Sequence, residues 1–169
     1  MRSQEKRVQI VSYIVFGIYL LFLVWLILFK LADCADKIPS MRGINLIPFH
    51  YDRFSGTRFH FTEVMENVLV FIPAGFYFTA FRRQRIASGI LACASLSLVF
   101  EVVQWIFALG ASDITDLLTN TVGGAAGAAL FLLTKKICKE RQMRVVNFIG
   151  IALEVIFIAF FAMLFIENK

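Results

Sequence analysis

Five long apolar runs punctuate the chain, and the segments between them carry most of its charge. Each run is close to the ~20 residues a helix needs to cross ~30 Å of hydrocarbon. The pattern predicts spanning helices over Val8–Leu31, Glu63–Phe81, Ile86–Leu109, Asp113–Thr134 and Val145–Ile166. The expected fold is therefore all-α: a polytopic membrane bundle of five transmembrane helices, forming one domain over residues 1–169. A polar stretch, Ala32–Thr62, separates the first two runs, and a short turn through Gly110–Ser112 joins the third to the fourth. The first run follows Lys6 and Arg7 in the manner of a signal peptide. It exceeds the roughly 7–15 apolar residues of a cleavable signal, and no A-x-A site follows cleanly, so it reads as an uncleaved helix.

Composition agrees with this class. Of 169 residues, 59% are hydrophobic and 17% charged, with a mean hydropathy of +0.76. Soluble domains lie nearer ~45–50% apolar and ~25% charged. The net charge of +5 does not suggest nucleic acid, because the basic residues form short runs between apolar segments rather than a stripe. With the N-terminus cytoplasmic, the inside holds Arg2, Lys6, Arg7, Arg82, Arg83, Arg85, Lys135, Lys136, Lys139, Arg141 and Arg144. Only Lys30, Lys37, Arg42, Arg53, Arg58 and Lys169 then fall outside. The positive-inside rule selects this orientation, which leaves the C-terminus extracytoplasmic. Cys34, Cys93 and Cys138 lack metal-like spacing and imply no disulfide framework.

The polar residues inside these runs carry the chemistry. Glu66, Asn67, Glu101, Gln104, Asp113, Asp116, Asn120 and Glu154 sit in or beside segments that are otherwise apolar. An ionisable side chain in hydrocarbon costs roughly 2.5–3.5 kcal/mol on insertion scales, so it faces a helix interior or a wet cavity. The predicted topology draws all but Glu154 toward the outer leaflet. Glu101 lies eight residues before Leu109, roughly 12 Å deep at 1.5 Å per residue, and Asn120 is about as deep. Glu101 and Gln104 share one helical face, as do Asp113, Asp116 and Asn120, and the two faces can meet. A packing seam needs only amides. Several carboxylates together repel unless protonated or paired, so Glu66, Glu101 and Asp116 are read as the acidic centre of a site, with Asn67, Gln104 and Asn120 orienting it.

Other residues have two readings each. Asp113 serves equally as a helix N-cap, with Asp116 at the third position of a capping box, or as a site residue. Gly123 and Gly127 form a G-x-x-x-G pair suited to close helix packing. Pro73 should kink the second helix. In the external loop, Arg53 and Arg58 suit an anionic head group or pair with the carboxylates. His50 and His60 are too far apart for a familiar zinc motif, so no metal and no cofactor is expected. Tyr51, Phe54, Phe59 and Phe61 read as interfacial aromatics.

Four blocks, in order, resemble the VanZ-like membrane proteins. They are Asn45-Leu46-Ile47-Pro48-Phe49; Glu66-Asn67 with Pro73 and Gly75; Glu101 with Gln104; and Asp113, Asp116 and Asn120 before Gly123-Gly124. The similarity runs from about Val8 to Thr134. Many members carry an arginine just before the first Asp of the fourth block, where this chain has Gly110-Ala111-Ser112. The resemblance implies a bacterial plasma membrane and a cell-envelope role, since the family is associated with reduced susceptibility to teicoplanin-type lipoglycopeptides. The expected function is engagement of a membrane lipid or lipid-linked cell-wall precursor in an outward-facing acidic pocket, with direct sequestration of the lipoglycopeptide as a separate reading. Asn45, Arg53, Arg58, Glu66, Asn67, Glu101, Gln104, Asp113, Asp116 and Asn120 are its expected ligand contacts. Two alternatives stand beside it. One is a hydrolase or transferase acting on a lipid head group, with Glu66, Glu101 and Asp116 as acid–base candidates; the other is a lipid transporter.

Overall fold

The computed structural model describes residues 2–29, 41–49, 57–82 and 84–167, with side chains described for most of these. Its elements run α1 (Arg2–Phe29), β1 (Met41–Asn45), α2 (Thr57–Phe81), α3 (Ile86–Phe107), β2 (Leu109–Asp113), α4 (Ile114–Cys138), a single 3-10 turn (Lys139–Arg141) and α5 (Gln142–Glu167). Cys34, His50, Arg53 and Arg83, with Tyr51 and Phe54, lie outside the described residues. The backbone of Arg58, Phe59 and His60 belongs to α2, but their side chains lie outside the description.

The all-α membrane class holds, and the number of spans does not match the expectation. Among the described residues, four stretches are long and apolar enough to cross a membrane: Ser3–Phe29, Phe61–Phe81, Ile86–Phe107 and a 50-residue stretch, Ile114–Met163. The fourth and fifth predicted spans fall in this one helical stretch. The basic segment between them, Lys135 to Arg144, contains no Gly or Pro and is rich in Lys, Arg, Gln and Glu, all good helix formers. Only the 3-10 turn, where Lys139 has φ 48°, interrupts it. A second difference lies at Leu109–Asp113. Where a turn was expected, a strand pairs in parallel with β1, from Met41 opposite Leu109 to Asn45 opposite Asp113. Ala108 ends α3 in the left-handed region, φ 55° and ψ 37°, its N–H returning to the carbonyls of Gln104 and Trp105. That cap turns the chain out of the helix and into β2.

Two units are present, Phe22–Leu132 and the pair Met1–Leu21 with Leu133–Lys169. In the first, the helices meet through small residues, as expected where lipid is as apolar as the protein and backbone proximity drives packing. A Cβ at Gly123 would overlap the Val68 carbonyl oxygen, one at Gly127 the Ile72 oxygen, and one at Gly75 the Gly124 oxygen. α2 and α4 are thus in backbone contact. Pro73 lies inside α2, where it removes a hydrogen bond to the Leu69 carbonyl, yet the helix continues to Phe81. Phe71 packs edge-on against Phe100, and Phe76 against Phe131, at centroid separations of 6.4 and 5.3 Å. In the second unit, Asn147 on α5 donates from Nδ2 to Ser12 Oγ of α1 at 2.9 Å and to the Val8 carbonyl at 3.3 Å. Gln142 Nε2 donates to Thr134 Oγ1 at 2.9 Å across the 3-10 turn.

Gly127→Val is expected to destabilise the folded protein by more than the ~1–3 kcal/mol of ordinary core overpacking, because the obstruction is backbone. Gly17→Ala, with nothing within 4 Å of the added Cβ, should be neutral or stabilise by up to ~1 kcal/mol. Thermal unfolding in detergent checks both. Similar midpoints for the two variants would contradict the helix contact.

Candidate functional site

Strand pairing sets the first layer of the site. The β1–β2 register places Asn45 opposite Asp113, and Asn45 Nδ2 donates to Asp113 Oδ2 at 3.0 Å. The other oxygen, Asp113 Oδ1, accepts the Thr115 N–H at 2.7 Å, which is the N-cap bond of α4. Asn45 Oδ1 accepts the Ile47 N–H at 3.1 Å, a local Asx-type turn. Phe49 N–H then donates to Thr115 Oγ1 at 3.0 Å. The Asn45–Phe49 motif is therefore tied at two points to the start of α4, and both Asp113 oxygens are committed to that clamp.

Of the two readings of Asp116, capping box or site residue, the side-chain contacts do not follow the capping box. In such a box the third-position carboxylate reaches back to the cap residue's N–H. Here Glu101 on α3 holds that group: the Asp113 N–H donates to Glu101 Oε2 at 2.8 Å. Ser112 Oγ also donates to the Glu101 carbonyl at 2.6 Å. Asp116 faces α2 instead, where Asn67 Nδ2 donates to Asp116 Oδ1 at 2.7 Å. Both Glu101 and Asp116 sit at the N-terminal end of α4, where the helix dipole favours negative charge.

Two clefts result, and they divide the expected site residues between them. A polar cleft of about 350 Å³ is lined by Glu63, Glu66, Asn67, Gln104 and Asp116, with Leu26, Ile27, Val70 and Ala111. An apolar cleft of about 420 Å³ lies between α3 and α4 and includes Leu98, Val102, Trp105 and Leu117. Glu101, Asn45 and Asp113 line this second cleft. The expectation that Glu66, Glu101 and Asp116 share one recess needs correcting: Glu66 and Asp116 do, while Glu101 is turned away by its bond to the Asp113 N–H. Asn120 also departs from the expected cluster. It is 2% exposed, lines neither cleft, and donates from Nδ2 to Ser97 Oγ at 2.9 Å in the α3–α4 seam. Arg53 and the Arg58 side chain lie outside the described residues. Glu154 is on α5 and lines neither cleft.

Three contributors were not singled out from the sequence. Glu63 lines the polar cleft three residues before Glu66, a spacing that puts both on one helical face. Ser97 precedes Glu101 by four and belongs to the same face of α3. Thr115 receives the Phe49 N–H, and no local pattern marks it. Gln104 stands in the wall of the polar cleft at 5% exposure, with Nε2 donating to the Ile27 carbonyl at 3.1 Å.

Residues 16–135 match the family profile described as VanZ/LLP1. Over 156 residues the chain is 37% identical to the Enterococcus faecium protein called Protein VanZ, covering 90% of this chain and 93% of that one. No solved structure matches the chain.

The clamp can be separated from the cleft by stability. Asp113→Ala removes the cap and strands Asn45, and should cost at least the ~1–2 kcal/mol of a lost N-cap. Glu101→Gln keeps an acceptor for the Asp113 N–H and should melt near the wild type, whereas Glu101→Leu should lose ~1–3 kcal/mol for an orphaned donor. Equal melting of the Gln and Leu variants would mean that the Glu101–Asp113 bond is not structural.

Proposed function

Since the chain belongs to the VanZ family, we propose that it lowers susceptibility to teicoplanin-type lipoglycopeptides by engaging an envelope lipid or lipid-linked precursor. The observation that carries this reading is the polar cleft. Three carboxylates, Glu63, Glu66 and Asp116, meet there on helices long and apolar enough to span a bilayer. Such groups are expensive in hydrocarbon and mark ligand or ion sites. The apolar cleft nearby offers a surface of the kind acyl chains cover.

The membrane placement belongs to the same proposal. Fifty helical residues would reach ~75 Å at 1.5 Å each, more than twice the ~30 Å of hydrocarbon. We therefore read Ile114–Met163 as two crossings divided at the basic 3-10 turn, giving five in all. The protein then lies in the bacterial plasma membrane with a cytoplasmic N-terminus, an extracytoplasmic C-terminus and the polar cleft opening outward. Binding is favoured over covalent chemistry, because no Ser, Cys or His is among the described residues lining the cleft.

In a susceptible Gram-positive host that depends on this protein, Glu66→Gln and Asp116→Asn should each restore most of the teicoplanin susceptibility at equal protein level. Each removes a charge worth ~10-fold or more in affinity if it contacts ligand. Unchanged protection in both variants would take the cleft out of the function.

A further inference from the structure

We infer that the α4–α5 joint and the start of α1 together form a site for the head group of one anionic phospholipid, separate from both clefts. The residues come from the two ends of the chain. Lys135, Lys136, Lys139, Arg141 and Arg144 crowd the joint, with Glu140 the one acid between them. Lys6 and Arg7 stand near the start of α1. All seven basic residues are exposed. Two buried amides bring the groups together. Asn147, 3% exposed, donates to the Val8 carbonyl and to Ser12 Oγ. Arg7 precedes Val8, and Arg144 lies three residues before Asn147, so each is within one helical turn of that contact. Gln142, also buried, donates to Thr134 Oγ1 and ties the end of α4 to the start of α5. Every one of these residues belongs to the unit formed by Met1–Leu21 and Leu133–Lys169.

A topology signal requires basic residues on one side of the membrane and no particular arrangement of them. Here the charges stand on helices fixed to one another by buried bonds, which is the preorganisation a binding site needs. Helix stability does not account for them all. Lys135 and Lys136 suit the last turn of α4, but Arg144 occupies the first turn of α5, where the helix dipole disfavours a cation and no acid offsets it. Among the described residues, Lys6, Arg7, Lys136, Lys139, Arg141 and Arg144 make no side-chain hydrogen bond or ion pair. Clustered like charges repel, and a counter-charge relieves them. The patch lies at the ends of helices long and apolar enough to span a bilayer, so the anion at hand is a lipid phosphate. Arginine forks hold phosphate oxygens bidentately and lysines serve as point charges. Basic clusters of this kind beside spanning helices recognise anionic lipid. A zwitterionic head group would bring its own ammonium against the same cations. In the placement proposed above, the lipid belongs to the cytoplasmic leaflet.

The test measures equilibrium binding of phosphatidylglycerol and phosphatidylcholine, with identical labelled acyl chains, to the purified full chain in neutral detergent. One phosphatidylglycerol should bind about tenfold more tightly than phosphatidylcholine, and added salt should erode the difference. Arg144→Gln leaves four basic residues in the joint to hold the topology and should weaken phosphatidylglycerol by about fivefold. Arg7→Gln combined with Arg144→Gln should weaken it by about thirtyfold. Arg82→Gln combined with Arg85→Gln removes as much charge from the other unit and should change the affinity by less than about twofold. Equal losses in the two double variants would reduce the effect to diffuse charge and overturn the site. Equal affinity for the two lipids would overturn it as well, as would displacement of the lipid by inorganic phosphate or a short oligonucleotide at matched concentration. The readout is lipid affinity and the variants leave the polar cleft intact, so failure here and failure of the proposed function are distinguishable.

Discussion

Backbone contact between α2 and α4 underlies the site. With no side chain at Gly75, Gly123 or Gly127, carbonyl oxygens of the facing helix occupy the space a Cβ would need. Lipid gives helices no hydrophobic reason to associate, so close packing and polar bonds must do it. At the upper end of the same contact, Asn67 reaches Asp116 at 2.7 Å. Glycine spacing in one helix thus fixes where a carboxylate stands relative to another, and the polar cleft depends on that registration.

The acids of the chain divide by role. Asp113 has both oxygens spent on the cap of α4 and on Asn45, and Glu101 holds the Asp113 N–H. These two secure the β1–β2 ladder and the Asn45–Phe49 motif to the top of α4. Glu63, Glu66 and Asp116 face the polar cleft. The carboxylates thus divide between a clamp and a cleft, each with its own geometry.

Much of this was legible in the sequence, for identifiable reasons. Apolar run length located the membrane helices, and the Gly123/Gly127 spacing announced the packing face. The pairs Glu66-Asn67 and Asp113/Asp116 marked helix ends that carry polar work. What escaped was long-range or backbone-mediated. The Leu109–Asp113 segment looks like a turn because it is short and built of small residues, and its partner strand lies 68 positions away at Asn45. Glu101 was grouped with the other acids because its partner is a main-chain N–H, which every residue but proline carries. Asn120 was assigned to the cluster by helical face, but its depth leaves it facing Ser97. The basic segment after Thr134 read as a loop because charge ends an apolar run; charge does not end a helix.

Lipid analysis of the protein purified from its own membrane tests the central claim most directly. The account predicts that an envelope lipid or lipid-linked precursor accompanies the wild-type chain and is depleted from Glu66→Gln purified in parallel. The same lipids at the same ratios on both proteins would contradict it.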